Sequence, residues 1–231
     1  SEDGIIVGEG NSVVTTIDPA SWDKYGIRVN FYRKIDQFGQ MQVLSGRDAL
    51  ADGKLEITEE NCEDCGRIVG TNEGPITSVY KFQKTISANG TNRGSALDFP
   101  NTVYNAAAGF LSINTKMKGY NVTITNGSQS GLQSACYAYN EIKQNHAKVM
   151  LATGNDENNE IMTKWYSQLG EVATGNAKLY NGTGMTVSDG STAVLLEGAE
   201  TADGRGATKY AIMAGYAGVE EQGVRYGSGG V

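Results

Sequence analysis

Residues 123–140 read TITNGSQSGLQSACYAYN. A β-branched run, Thr123-Ile124-Thr125, stops at Asn126-Gly127; small polar residues follow, and then a helical pattern begins. Nucleophiles are often mounted this way, at the end of a strand and on the first turn of a helix. The stretch offers hydroxyls at Ser128 and Ser130 and a thiol at Cys136. A hydroxyl is not ionised near neutral pH without a positioned base, and the chain has one histidine, His146. The run G-S-Q-S-G is a near-match to G-x-S-x-G, but its glycines are displaced by one position and no Asp/His partners follow at suitable places.

Two other clusters invite a chemical reading and do not sustain it. Cys62 and Cys65 form a lone C-x-x-C. Zinc needs four ligands, and the one other Cys and the one His are far away in sequence. A redox pair needs a strand before it and a helix after it, whereas this pair precedes a strand. Asp156, Glu157, Asn158 and Asn159 lack the spacing of a calcium loop and read as a polar strand-to-helix loop. No metal is expected.

Composition narrows the function class. A net charge of -7 and a pI near 4.8 argue against nucleic acid, which demands a basic face to replace phosphate counterions. No apolar run approaches the ~20 residues of a membrane helix, so no membrane partner is expected. The opening SEDGIIVGEG has neither a basic start nor a long apolar core, so no signal peptide is expected. Three cysteines, an odd number, fit a reducing compartment. The expected location is the cytoplasm. The 231 residues suit one domain or a fused pair of small ones, and 31 Gly against 3 Pro without a fixed period point to tight turns and close packing.

The elements that must position the turn can be read from periodicity. GIIVGEGNSVVTTI suggests two short strands around a Gly-Asn turn. Asp36 can cap a helix carrying Phe38, Met41 and Leu44 through Ala49, ended by Asp52-Gly53. Arg67–Thr71 reads as a short apolar strand, and Ile76–Ile86 as a helix after a Gly-Pro turn. Thr91–Leu97 is a loop. Phe99-Pro100-Asn101 then leads into a helix with Tyr104, Ala107, Leu111 and Ala106, Phe110, Ile113 at three- and four-residue spacing, stopped by Gly119. Strand Asn121–Thr125 precedes the turn. Leu132, Ala135, Cys136, Tyr139 and Ile142 predict the apolar stripe of the helix after it. Lys148–Ala152 reads as a strand buried on both faces. Thr192–Leu196 and Tyr210–Tyr216 are further strand candidates. Strands alternating with helices predict an α/β layer, a mostly parallel sheet with helices packed on its faces.

Several stretches, in order, resemble the N-terminal part of the β-ketoacyl synthases, condensing enzymes of the thiolase fold. Arg33-Lys34-Ile35-Asp36-Gln37-Phe38 looks like the family's basic-Met-Asp-Arg-Phe helix entry. Leu55–Gly74 is similar to the approach to the first central strand. Phe99–Ile113 and Lys118–Thr125 resemble the interface helix and the strand before the nucleophile. KVMLATGNDE (148–157) resembles A-D-V-M-L-x-G-G-x-E, and DGSTAVLLE (189–197) the G-E-G-A-x-x-L-V-L-E hairpin. The resemblance runs from about Lys34 to Tyr216. It implies a single ketosynthase N-terminal-type domain over 1–231, with an uncertain start (1–32) and a Gly-rich tail (217–231).

The resemblance places Ser128 where the family's T-A-C-x-S-G motif carries its acyl-accepting Cys. Cys136 is two helical turns further on. The family's catalytic histidines (or His and Asn) and assisting Lys lie in a second half to which nothing here corresponds. His146 belongs to the far end of the helix after Ser128, about 25 Å away at 1.5 Å per residue. The expected roles are a helix cap for Ser128 and a surface loop residue for His146. Asp156 and Glu157 keep their reading as loop residues.

The implied role is that of a truncated chain-length factor of a type II polyketide synthase, a non-catalytic subunit paired with a Cys-bearing β-ketoacyl synthase in a heterodimer. Acyl carrier protein would dock mainly on the partner, because an acidic surface repels an acidic carrier. No cofactor is implied. Phe99, Tyr104, Phe110, Ile113, Val122, Ile124 and Gln129 are the expected tunnel and dimer-interface residues, with Glu73 close to the acyl pocket. Two rivals remain. One is a Ser128-dependent acyl hydrolase, acyltransferase or malonyl decarboxylase; Gln129 resembles, one position late, the Gln that some chain-length factors carry in place of the Cys. The other is a homodimeric acyl-binding scaffold.

Overall fold

The computed structural model describes residues 5–6, 12–14, 17, 20–173 and 184–218. They fall into two compact units. The larger comprises residues 17–157 and 190–214; the described parts of the smaller are 5–6, 12–14, 158–173, 184–189 and 215–218.

In the larger unit, α1 (Ala20–Asp23) and α2 (Val29–Tyr32) lead into α3 (Gln37–Asp52). Asp36 caps α3 as expected, its carboxylate accepting from Gly39 N–H at 2.9 Å, and Gly53 closes the helix. Next come β3 (Cys65–Gly70), α4 (Ile76–Asn89) and 3-10 turns at Thr91–Arg93 and Phe99–Thr102. Then follow α5 (Ala106–Thr115), β4 (Asn121–Ile124), α6 (Ser130–Lys143), β5 (Val149–Asp156), β7 (Gly190–Glu197) and α8 (Ala199–Gly204). The sheet order is β4-β3-β5-β7. β3 runs parallel to β4 and β5, and β7 antiparallel to β5.

Side chains of β5 alternate between two cores, as a period of two requires. Val149 and Leu151 join Val43, Leu50 and Leu111 on one face, beneath α3 and α5. Met150 and Ala152 join Ile68 and Ala138 on the other, beneath α6. The sheet is therefore covered by helices on both sides, and β3 is buried at every position, as a central parallel strand should be.

In the smaller unit, β1 (Ile5–Ile6) pairs antiparallel with β2 (Ser12–Val14), which pairs parallel with β6 (Val187–Ser188). The two N-terminal strands are as expected; the turn between them lies outside the described residues. Residues 156–159 do lead into a helix, α7 (Glu160–Gln168), capped by Asn159, although Asp156 is still part of β5.

Three expectations fail. Residues 210–216 form no strand: Tyr210 and Ile212 are 79% and 86% exposed, and no strand pairs with them among the described residues. A short apolar run becomes a strand only where a partner supplies the ladder. The helix before β4 ends at Thr115 rather than at Gly119, with Lys116 in the left-handed conformation. The third failure is the stripe on α6. Ser130, Ser134, Ala138 and Glu141 are its buried residues, while Leu132 is 72% exposed and Ala135, Cys136, Tyr139 and Ile142 are half-buried. The helix lies too close to the sheet for larger side chains.

Candidate functional site

That close approach builds the site. A Cβ on Gly70, the last residue of β3, would lie 2.1 Å from the Ser130 carbonyl oxygen, and Gly131 meets Gly154 of β5 at a distance where either Cβ would lie 3.3 Å from the other Cα. Small residues thus let the first turn of α6 rest directly on β3 and β5. Because Gly70 is in register with both Ile124 and Gly154, the segments after β3, β4 and β5 converge at one end of the sheet. This is the end where helix N-termini and strand C-termini create ligand sites in α/β folds.

The turn between β4 and α6 is held by Ser130, not Ser128. Asn126 N–H donates to Ser130 Oγ, and Ser130 Oγ–H donates to the Gly127 carbonyl, both at 2.7 Å. Gly127, at φ +63°, supplies the left-handed residue. The N-cap of α6 is Gln129, which makes no side-chain cap bond. The expected cap role of Ser128 is therefore overturned: the helix starts one residue too late for its hydroxyl to serve. Ser128 and Gln129 both lie exposed on the turn.

His146 lies beyond the other end of α6, where its exposed ring pairs with Glu141 at 3.0 Å. Cys62 and Cys65 are buried and free; burial, aided by nearby Asp64, raises the Cys65 thiol to about 11, so it is a neutral, inert thiol at physiological pH. Among the described residues no group of three or more His, Cys, Asp or Glu could hold a metal ion.

The loop after β3 is anchored by β5. The Asp156 carboxylate accepts from the Thr71 hydroxyl at 2.6 Å and from the backbone N–H groups of Asn72 and Glu73, both at 2.9 Å. Glu157 accepts from Thr77 N–H at 2.9 Å. The two carboxylates thus serve as loop anchors. Gly74, at φ +63°, turns the chain beneath the Tyr104 ring, which a Cβ there would meet at 2.6 Å. Tyr104 is accordingly seated at the same end of the sheet as Ser128, and Glu73 beside it.

The other expected tunnel and interface residues divide into two groups. Phe110 points inward, against Gly39 of α3 and the core beneath it. Phe99, 56% exposed, lies tilted against Phe82 of α4 with centroids 5.6 Å apart, and Ile113 is 68% exposed on α5. Val122 and Ile124 are half-buried on β4, an edge strand that pairs only with β3 among the described residues.

Sequence reading missed two polar residues, the buried Asn101 and the half-buried Ser78. Asn101 donates to the Lys34 carbonyl at 3.1 Å and accepts from Asp36 N–H at 3.3 Å. Ser78 donates to Asp36 at 2.6 Å. Together they join α3, α4 and the Phe99 turn around Asp36, whose carboxyl burial pushes above the usual carboxylate range while those hydrogen bonds pull it back. Asn101 follows Phe99-Pro100, so a polar residue directly after the helix-breaking pair was the available signal.

The family profile "Beta-ketoacyl synthase, N-terminal domain" matches residues 14–202. The 3-oxoacyl-[acyl-carrier-protein] synthase 2 of Vibrio harveyi is 30% identical over 200 residues, covering 80% of this chain and 46% of that protein. A β-ketoacyl synthase from Burkholderia phymatum superposes with a TM-score of 0.71 at 22% identity, over 85% of this chain and 50% of that one. The ishigamide ketosynthase/chain length factor gives 0.64 at 21% identity, over 87% and 55%. The chain spans about half the length of the curated relatives it matches. Among the described residues no helix is long and apolar enough to cross a membrane. With the matching profile spanning most of its length, the chain belongs to the β-ketoacyl synthase family.

Proposed function

We propose that this chain is a non-catalytic, chain-length-factor-like subunit that pairs with a Cys-bearing β-ketoacyl synthase and shapes the acyl tunnel in a type II polyketide system, for an aromatic polyketide or an aryl polyene. One observation carries the reading: a serine, Ser128, stands on the turn between β4 and α6, where the resemblance calls for the family's Cys. Its hydroxyl is exposed, and the chain's one histidine is paired with Glu141 beyond the far end of α6. A serine hydroxyl is a poorer acyl acceptor than a thiolate, which supports a subunit that leaves condensation to its partner.

The half-exposed apolar residues support pairing. The open edge of β4 offers unpaired backbone groups to a second strand, and Phe99, Tyr104 and Ile113 present apolar surface of the kind found in buried interface cores. The Gly74 turn seats Tyr104 at the Ser128 end of the sheet, which supports a contact between its ring and the acyl chain. Docking of an acyl carrier protein falls mainly on the partner, given this chain's net charge of -7.

The test is native mass spectrometry after co-expression with a Cys-bearing β-ketoacyl synthase encoded beside it, compared with this chain expressed alone. A stable one-to-one complex is expected. A homodimer that ignores the synthase would overturn the proposal and favour a self-associating acyl-binding scaffold.

A further inference from the structure

At the end of the sheet opposite Ser128, the C-termini of α3 and α5 frame a cavity of about 430 Å³, within the size range of small-molecule sites. Leu50, Leu55 and Ile57 give it an apolar lining, and Arg47, Lys54 and Lys116 line it with positive charge. We propose that this cavity binds an amphipathic carboxylate, an acyl or aryl body ending in a single negative charge. The proposal is independent of the pairing reading above.

The three cations are the first argument. No described residue gives Arg47, Lys54 or Lys116 a carboxylate at ion-pair distance. What sets these three apart is their gathering on one cavity wall, where they create a focused positive potential against a low-dielectric lining.

Arg47 is also preorganised. Its Nε donates to Asn114 Oδ1 at 2.5 Å and its Nη2 to the Asn114 carbonyl, which fixes the guanidinium plane and leaves Nη1 uncommitted. A fixed guanidinium suits the planar, directional acceptor that a carboxylate provides. Burial lowers the guanidinium pKa, and the nearby Tyr25 opposes that shift.

Backbone conformation is the third argument. Lys54 and Lys116 have φ of 51° and 64°; among the described residues the one other non-glycine with positive φ is Asn145. Gly or Asn is the usual occupant of this conformation after a helix. Here it is lysine twice, and both lysines line the same cavity. Strained backbone of this kind gathers at ligand clamps.

The lining defines the ligand. Three apolar side chains favour a hydrocarbon or aromatic body over a bare anion. Glu56 also lines the cavity and disfavours a second negative charge on the ligand, which points to a monocarboxylate.

Isothermal titration with octanoate, octan-1-ol and inorganic phosphate tests this, with amide chemical shifts of Leu55 and Ile57 reporting the location. Octanoate is expected to bind and to shift those two amides, with the alcohol and phosphate at least about tenfold weaker. Lys54→Gly and Lys116→Gly suit the left-handed backbone, so both variants should fold, and each should weaken octanoate by about fivefold at low salt. The proposal is overturned if octanoate shows no binding up to about 10 mM, if phosphate binds as well as octanoate, or if neither variant alters the affinity.

Discussion

Gly70→Ala examines the contact on which the turn between β4 and α6 depends. The added Cβ would lie 2.1 Å from the Ser130 carbonyl oxygen, 2.3 Å from its carbon and 2.7 Å from Gly131 N. All three atoms are backbone, so no side-chain rotation relieves the clash. Ordinary contact begins at 3.4 Å, so the first turn of α6 must lift by about 1.3 Å, the difference between 3.4 and 2.1. That lift strains the two 2.7 Å bonds of Ser130 and opens the Gly131–Gly154 contact. Overpacking costs about 1–3 kcal/mol and each weakened hydrogen bond up to about 1 kcal/mol, so a loss of about 3 kcal/mol is expected. With a urea m-value of roughly 3 kcal/mol/M, the unfolding midpoint followed by circular dichroism should fall by about 1 M. Gly109→Ala is the control: nothing lies within 4 Å of its Cβ position, and it should stabilise α5 by about 0.5–1 kcal/mol. A Gly70→Ala midpoint equal to wild type would refute the close-approach reasoning, as would both variants moving in the same direction.

Ser128→Ala should leave the urea midpoint and complex formation unchanged, because the turn is held by Ser130; a clear loss of either would restore a structural role to Ser128. Asp36→Ala should cost about 1–2 kcal/mol through the lost cap, while Asp36→Asn keeps an acceptor. Because burial raises the folded-state pKa of Asp36, the folded state holds its proton more tightly than the unfolded one. Its contribution is then most favourable below the unfolded value of 3.8 and is lost as pH rises through the elevated folded value. Wild-type stability should therefore decline relative to Asp36→Asn over that window in a pH series of urea melts, and parallel curves would contradict the assignment. Phe110→Ala should destabilise the isolated chain by about 3 kcal/mol, whereas Phe99→Ala and Tyr104→Ala should weaken the complex with a synthase more than the fold, as separate melts and affinity measurements would show. In native protein at pH 8, a thiol reagent should label Cys136 and spare Cys62 and Cys65, both of which are buried; rapid loss of all three thiols would contradict their burial.

Much of the fold was legible because its signals are local. The Asp36 cap, the Asp52-Gly53 stop, the Gly-Pro entry to α4 and the unbroken apolar run of β5 each depend on a few consecutive residues. The family motifs were likewise readable in order, and they located the turn at which Ser128 stands. The errors arose where a distant contact outweighs local pattern. Residues 210–216 are a short apolar run like a strand's and have no ladder to join among the described residues. The apolar residues of α6 suggested one buried face, and the close seat on Gly70 and Gly154 selects another.

By itself, then, the sequence determined the α/β class, the family frame and the strands of the central sheet, all of which follow from residue identity and short-range spacing. Only the tertiary structure decided that Ser130 holds the turn, that Asp156 and Glu157 anchor the loop beneath Tyr104, and that Arg47, Lys54 and Lys116 share a cavity. Those assignments depend on residues up to 85 positions apart, as with Thr71 and Asp156. Such pairs carry no local periodicity, and they meet only once the sheet has brought the ends of its strands and helices together.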